Sequence, residues 1–260
     1  MKTVFITGAT SGIGKASAKI FSQQKNYRLV LCGRRIGLLE ELKSNLSNEF
    51  QSDIQLLSFD IRSYDECKNA IDSLSGEFAK IDILLNNAGL AKGLDFIHEG
   101  ELEDWETMID TNVKGLLYIT RLISPGMVER KSGHIINICS TAGKEVYPKG
   151  NVYCASKFAV DALTKSMRQD LYTHNIRVSQ VAPGHVENTE FALNRFDGDS
   201  DKAKIYNDFN PLKASDVAET IYWIASRPPH VNIQDVLMMG TQQALSGLID
   251  RSGRKFDSSL

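Results

Sequence analysis

Apolar runs and amphipathic stretches alternate along the chain in a regular rhythm. Short runs rich in β-branched and aromatic residues lie at residues 2 to 7, Tyr27 to Cys32, Ile54 to Phe59, Ile81 to Leu85, His134 to Cys139, Ile176 to Val181 and Val236 to Met239. All are of strand length. Several are apolar almost throughout, as strands covered on both faces are. Helix-length segments lie between them: from the glycines near residue 12 to about Gln24, Leu38 to Phe50, about Tyr64 to Leu74, Glu101 to Arg130, Tyr153 to about His174, and Ser215 to Ser226. Alternation at this spacing predicts a parallel sheet of about seven strands with right-handed crossovers. Two residues mark the long fourth helix. Asn112 is a mediocre interior residue because its amide competes for backbone groups, and Pro125 is expected to kink or end the helix. The helix at Ser215 starts without a full capping box.

The pattern therefore describes an α/β fold, a doubly wound Rossmann-type sheet with helices on both faces in three layers. The 260 residues are 42% hydrophobic and 24% charged, and nothing resembling a repeat or a low-complexity linker divides them. One domain over residues 1–250 is expected, with a polar, glycine-containing lid at about 188–212 and a frayed polar tail at 251–260. A net charge of -2 gives no electrostatic footprint for nucleic acid or for an anionic membrane. The apolar runs are too short to cross a bilayer. The chain goes from Met1-Lys2-Thr3 straight into the first strand, leaving no room for a signal peptide. Its four cysteines show no metal-site spacing and read as reduced thiols. The expected setting is the cytoplasm, with no metal.

Chemistry collects at the carboxyl ends of the strands, where open α/β sheets bind ligands. After the first strand comes Gly8-Ala-Thr10-Ser11-Gly12-Ile13-Gly14 and then a helix. Glycines there let the backbone approach a pyrophosphate, and the helix N-terminus faces it. After the second strand comes Gly33-Arg34-Arg35. An acidic residue at this position would favour NAD, whereas arginines accommodate a 2′-phosphate and favour NADP(H). Asp60-Ile61 follow the third strand and Asn86-Asn87-Ala88-Gly89 the fourth. Asp60 is placed to accept from an adenine amino group, and the asparagine turn to hold the sheet edge and pass near a ribose. Ser140 ends the fifth strand, and Tyr153 and Lys157 stand four residues apart on the next helix, hence on one face. A cation beside a phenol lowers its pKa, which makes Tyr153 a candidate general acid/base.

These residues together resemble the classical short-chain dehydrogenase/reductase family, over nearly the whole chain. The glycine turn, Asn86 to Gly89, the order Asn112, Ser140, Tyr153, Lys157 with 13 residues from serine to tyrosine, and Pro183-Gly184 carry the resemblance. It implies a catalytic tetrad. Tyr153 would exchange the proton, Lys157 would lower the tyrosine pKa and bind the nicotinamide ribose, and Ser140 would hold the substrate oxygen. Asn112 would hold a water leading from Lys157 to solvent. Cofactor contacts are implied for Gly8, Thr10, Ser11, Gly12, Ile13 and Gly14, for Arg34, Arg35, Asp60 and Ile61, for Asn87, Ala88 and Gly89, and for Pro183, Gly184, Val186 and Thr189. The threonine that usually contacts the nicotinamide carboxamide is replaced by Asn188, with Thr189 following.

More narrowly, the segments Asp104 to Asn112, Pro125 to Arg130, Gly133 to Asn137 and Thr189-Glu-Phe resemble the NADP-dependent 3-hydroxy acid (serine) dehydrogenases. The resemblance implies oxidation of serine, allo-threonine or 3-hydroxypropionate-like acids, and a homotetramer built partly on the Asn112 and Tyr153 helices. The polar lid segment Asn194 to Lys204 favours a small polar substrate, since an apolar one would gain only from buried apolar area. A substrate carboxylate calls for a cation, for which Arg195, Lys144 and Lys149 are candidates, Arg195 first. A broad NADPH carbonyl reductase for ketones or quinones is the alternative, and a non-catalytic NADP(H) sensor a more distant one.

Overall fold

Seven parallel strands form the centre of the molecule in a computed structural model that describes residues 1–187, 189–201 and 204–256. They are β1 (Lys2–Thr7), β2 (Tyr27–Gly33), β3 (Ile54–Ser58), β4 (Ile81–Asn86), β5 (Gly133–Ile138), β6 (Ile176–Pro183) and, after two short strands of the lid, β9 (Asp235–Met238). Their order across the sheet is β3-β2-β1-β4-β5-β6-β9. It turns back at β1, so β1 and β4 flank the switch point where such sheets bind ligands.

Side chains alternate across each strand, which explains the continuous apolar runs. Val4 and Ile6 pack on one face with α1 (Gly12–Ser22), α2 (Ile36–Phe50) and α8 (Ala214–Ala225). Phe5 points to the other, with α3 (Tyr64–Asp72), α5 (Leu116–Arg130) and α6 (Asn151–Leu171). Asn86 on β4 donates to Thr120 and Asn137, and Asn137 donates to Thr164, so these buried amides tie β4 and β5 to the α5 and α6 layer.

The predicted helix over Glu101 to Arg130 is interrupted. It begins as α4 (Leu102–Ile109), opens into a π-turn at Asp110–Gly115 and resumes as α5. The cause is tertiary. Asn112 Nδ2 donates to Leu90 O at 2.8 Å and Ser156 Oγ at 3.0 Å, while its Oδ1 accepts from Leu90 N at 2.9 Å. Such insertions are common at functional sites. Pro125, expected to break the helix, lies inside α5, which runs on to Arg130. Pro125 and Arg121 are both exposed, so the carbonyl that loses its partner at the proline can be hydrated. At α8 the expected lack of a capping box is half corrected: Asp216 Oδ2 accepts from Lys213 N at 2.7 Å.

The tail is not frayed as far as residue 256. Arg251 pairs with Asp208 at 2.7 Å and Arg254 with Glu187 at 2.5 Å. Asn210 Oδ1 accepts from the backbone of Lys255 and Phe256. These contacts strap the tail across the segment, expected to act as a lid, that carries β7 (Val186–Glu187), α7 (Phe191–Arg195) and β8 (Leu212–Lys213). The final residues, 257 to 260, lie outside the described residues. Within this segment Ala192, Tyr206 and Phe209 form a small buried cluster of their own.

Asp161 braces α6 against its neighbours. It accepts from Lys144, Lys165 and Gln180, each at 2.5 Å. Burial works to raise its carboxyl, but these hydrogen bonds outweigh burial and hold it at about 2. A folded-state value below the ordinary value of about 3.9 stabilises the fold at neutral pH. That contribution is lost as pH falls from about 4 through about 2. Asp161→Asn should remove this acid dependence and cost about 1–3 kcal/mol at neutral pH, read as a lower Tm in melts at the two pH values.

Candidate active site

A cavity of about 800 Å³ lies over the carboxyl ends of the strands, lined from the glycine turn at one end to Arg195 and Tyr206 at the other. Its floor is built by close backbone approach. Gly8 and Gly12 have φ of +66° and +50°, and a Cβ on Gly14 would come within 2.3 Å of Gly8 O. Asn87 Nδ2 locks the turn by donating to Thr7 O and Gly8 O, and Thr7 Oγ1 accepts from Asn87 N and Ala88 N. The asparagine turn thus holds the sheet edge and the glycine turn together. Thr10, Ser11, Ile13, Gly89, Pro183, Gly184 and Val186 all line the cavity, as expected.

At the far end of β2, Arg34 and Arg35 face the same space, with Ile61 beside them. Asp60 lines it too, but its carboxylate is already held by Arg62, Nη2 to Oδ2 at 2.6 Å and Nε to both oxygens. The hydrogen bond from Arg62 keeps that carboxyl below its ordinary value. Asp60 is therefore charged and turned to Arg62 rather than free to receive an adenine. Thr189 rests on the glycine turn, its methyl 3.1 Å from where a Gly12 Cβ would stand, and its hydroxyl accepts from Phe191 N at 3.3 Å. Asn188 lies outside the described residues.

Ser140 leaves β5 in extended conformation, and its Oγ accepts from Ala142 N at 3.1 Å, capping the short turn that follows. Tyr153 and Lys157 project from α6 into the cavity and are buried. Ser140, Tyr153 and Lys157 line the cavity together, and Asn112 meets Lys157 at Gly89, where an added Cβ would lie 3.2 Å from Asn112 Oδ1 and 3.4 Å from Lys157 Nζ. Two expectations change. Both Asn112 Nδ2 hydrogens are donated, to Leu90 and Ser156, and Oδ1 accepts from Leu90 N, so the side chain can offer a water only acceptor capacity. Lys157 Nζ donates to Ile138 O at 3.0 Å and stands 5.9 Å from the Tyr153 ring centroid. Burial lowers the Lys157 pKa. Burial also raises the Tyr153 phenol above its ordinary value, with Tyr147 adding to the rise, while the Ser140 hydrogen bond and Arg195 act to lower it. The largest lowering influences on the phenol are the Ser140 hydrogen bond and the Arg195 charge.

Arg195 is buried at 8% exposure. Its Nε donates to Gly93 O at 3.2 Å and its Nη2 to Tyr147 Oη at 2.8 Å. The guanidinium lies 5.5 Å from the Tyr153 ring centroid. Among the described residues no carboxylate pairs with it. Lys144, by contrast, is bound to Asp161 and Asp235, and Lys149 is exposed over the Phe96 ring at 4.4 Å. Neither lysine lines the cavity.

Sequence reading gave no role to Tyr147, Phe191, His185 or Glu190, all of which line it. Phe191 packs edge-on to Tyr153 at 5.6 Å, and His185 packs against Tyr206 and Phe209. Burial lowers the His185 pKa. An aromatic six residues before the tyrosine, and another just after Thr189, were the available signals.

A glycine cradle, an arginine pair beyond it and a Ser–Tyr–Lys group across the same cavity define a nucleotide-dependent oxidoreductase site. The family model for short chain dehydrogenases matches residues 2–199, and the chain belongs to that family. It is 44% identical over 246 residues to the NADP-dependent 3-hydroxy acid dehydrogenase YdfG of Escherichia coli strain K12, covering 94% of this chain and 97% of that one. It is 39% identical over 243 residues to the NADP-dependent 3-hydroxy acid dehydrogenase of Schizosaccharomyces pombe, covering 93% of each. Among solved structures, the closed form of serine dehydrogenase complexed with NADP+ superposes with a TM-score of 0.91 at 44% identity, over 95% of this chain and 98% of that one.

Proposed function

We propose that this protein is an NADP-dependent oxidoreductase that exchanges a hydride between NADP(H) and the hydroxyl or carbonyl of short 3-hydroxy acids. The observation that carries the substrate class is Arg195, a buried guanidinium without a carboxylate partner among the described residues, beside the Tyr153 ring. A substrate carboxylate supplies the missing counter-charge while its hydroxyl reaches Tyr153 and Ser140. The names of the relatives support the same reading.

The residues present fit the dinucleotide. The 2.3 Å gap between Gly8 O and a Gly14 Cβ leaves room only for backbone, and the α1 N-terminus points N–H groups at that space. Gly8 to Gly14 and Asn87 to Gly89 would hold the pyrophosphate and nearer ribose, Arg34 and Arg35 the 2′-phosphate, and Pro183, Gly184, Val186 and Thr189 the nicotinamide end. When bound, the cofactor supplies or takes the hydride and, when oxidised, brings a positive charge. In the alcohol-to-carbonyl direction Tyr153 accepts the hydroxyl proton at Oη, and in reverse it donates it. Ser140 fixes the substrate oxygen and hydrogen-bonds the phenol. Lys157, anchored on Ile138 O, orients the ribose. The Asn112 carbonyl holds a water on the way to solvent.

We infer a cytoplasmic homotetramer. Its tetramer contacts are supported by Ile109, Leu117 and Phe158, which leave large apolar side chains exposed around the π-turn, on α5 and on α6. No helix among the described residues is long and apolar enough to cross a membrane.

The charge of the cavity refines the substrate. Its lining carboxylates among the described residues are Asp60 and Glu190, both bound to arginines. An α-ammonium group meets no acid near Tyr153. With NADP+, kcat/KM is therefore expected to be about tenfold or more higher for 3-hydroxypropionate than for L-serine, a difference of about 1.4 kcal/mol, followed by the absorbance of the reduced cofactor. Faster turnover of neutral ketones than of any 3-oxo acid would favour the carbonyl-reductase alternative instead.

A further inference from the structure

Glu190 occupies the most highly charged corner of the cavity. Its Oε1 accepts from Arg35 Nη1 at 3.0 Å and its Oε2 from Arg35 Nη2 at 2.7 Å, and the same Nη2 also donates to Thr10 Oγ1 at 2.8 Å. Hydrogen bonds from Arg35 hold its carboxyl below the ordinary value, with the Ser11 hydroxyl and Lys15 acting in the same direction. Ser11 is the N-cap of α1, whose first turn carries no acidic residue of its own. The next residue back, Thr189, rests on Gly12. A carboxylate from the start of the lid thus stands among the helix N-terminus, a lysine and the arginine fork, the set of groups that would receive the cofactor's phosphates.

We propose that Glu190 is an internal competitor of the 2′-phosphate, holding Arg35 in the unliganded enzyme and yielding it when NADP(H) binds. The proposal rests on the reading of Arg35 as the 2′-phosphate ligand. A phosphate and a carboxylate seek the same bidentate geometry on a guanidinium, so the two anions exchange on one fork. The phosphate carries the greater charge and displaces the carboxylate, but it does so against the loss of an existing ion pair and beside a remaining negative charge. Glu190 therefore weakens NADP(H) binding and speeds its release. NAD(H), which has a neutral hydroxyl at the same position, leaves the Arg35 pair in place and meets Glu190 only as a charge near its pyrophosphate. The pair is only half-buried, with side-chain exposures of 46% and 39%, so its removal costs the fold little.

The test measures equilibrium dissociation constants for NADP+ and NAD+ and the displacement rate of bound NADPH in wild type, Glu190→Gln, Arg35→Ala and the double variant. Glu190→Gln is expected to bind NADP+ about three- to tenfold more tightly and release NADPH correspondingly more slowly, with a clearly smaller gain for NAD+. Arg35→Ala is expected to lose NADP+ affinity, and in that background the Glu190 change should have no further effect. Unchanged or weaker NADP+ binding in Glu190→Gln overturns the proposal and makes Glu190 a support that orients Arg35 toward the phosphate. Unchanged NADP+ affinity in Arg35→Ala overturns the underlying reading of Arg35 itself.

Discussion

Replacing Tyr153 by phenylalanine is expected to lower kcat by roughly 10³-fold or more in both directions, at the upper end of what a positioned acid/base contributes, while NADP+ affinity stays within a few-fold. The substitution removes one oxygen and keeps the ring that packs on Phe191 and lies beside Arg195, so the fold has little reason to respond. The pH profile carries the same information. Burial holds the phenol above its ordinary value, and Ser140 and Arg195 act against that. Oxidation needs the deprotonated phenol and should accelerate as pH rises. Reduction needs the protonated form and should be flat through neutrality. If the phenylalanine variant kept a tenth of wild-type turnover, the proton would have to travel by Ser140 or water.

The second large effect belongs to Arg195. Arg195→Ala should reduce kcat/KM for a 3-hydroxy acid by about 10²–10³-fold, since losing one partner of a buried charge pair costs roughly 2–5 kcal/mol. A neutral short alcohol should lose about tenfold or less. That smaller loss is expected because Arg195 also helps lower the Tyr153 phenol, and it should come with an alkaline shift of the oxidation profile for both substrates. Equal losses for the acid and the alcohol would remove Arg195 from substrate recognition and leave it as a packing partner of Tyr147 and Tyr153.

The sheet was legible in the sequence because a strand covered on both faces has to be apolar along its length, and all seven runs paired in parallel. The tetrad and the glycine turn were legible because their spacing is imposed by local geometry, a tight turn in one case and a helix face in the other. What could not be read depends on distant partners. The π-turn arises from contacts of Asn112 with Leu90 and Ser156. Lys144 is occupied by Asp161 and Asp235, 17 and 91 residues further along the chain. Burial, the largest influence on the Tyr153 phenol, is a property of the folded cavity and leaves no signal in the sequence. Glu190 was overlooked because nothing at its own position reveals an arginine 155 residues away.

The strap formed by Arg251, Arg254 and the backbone near Phe256 has a consequence for anyone who would re-engineer the substrate range. Lid exchange between relatives is usually conceived as the transplant of one contiguous loop. Here Glu187, Asp208 and Asn210 receive their partners from residues 251–256, so a transplanted loop arrives without these anchors. Donor loop and donor tail form a single graft, and a chimera that carries one without the other will report on lost anchoring rather than on a new specificity.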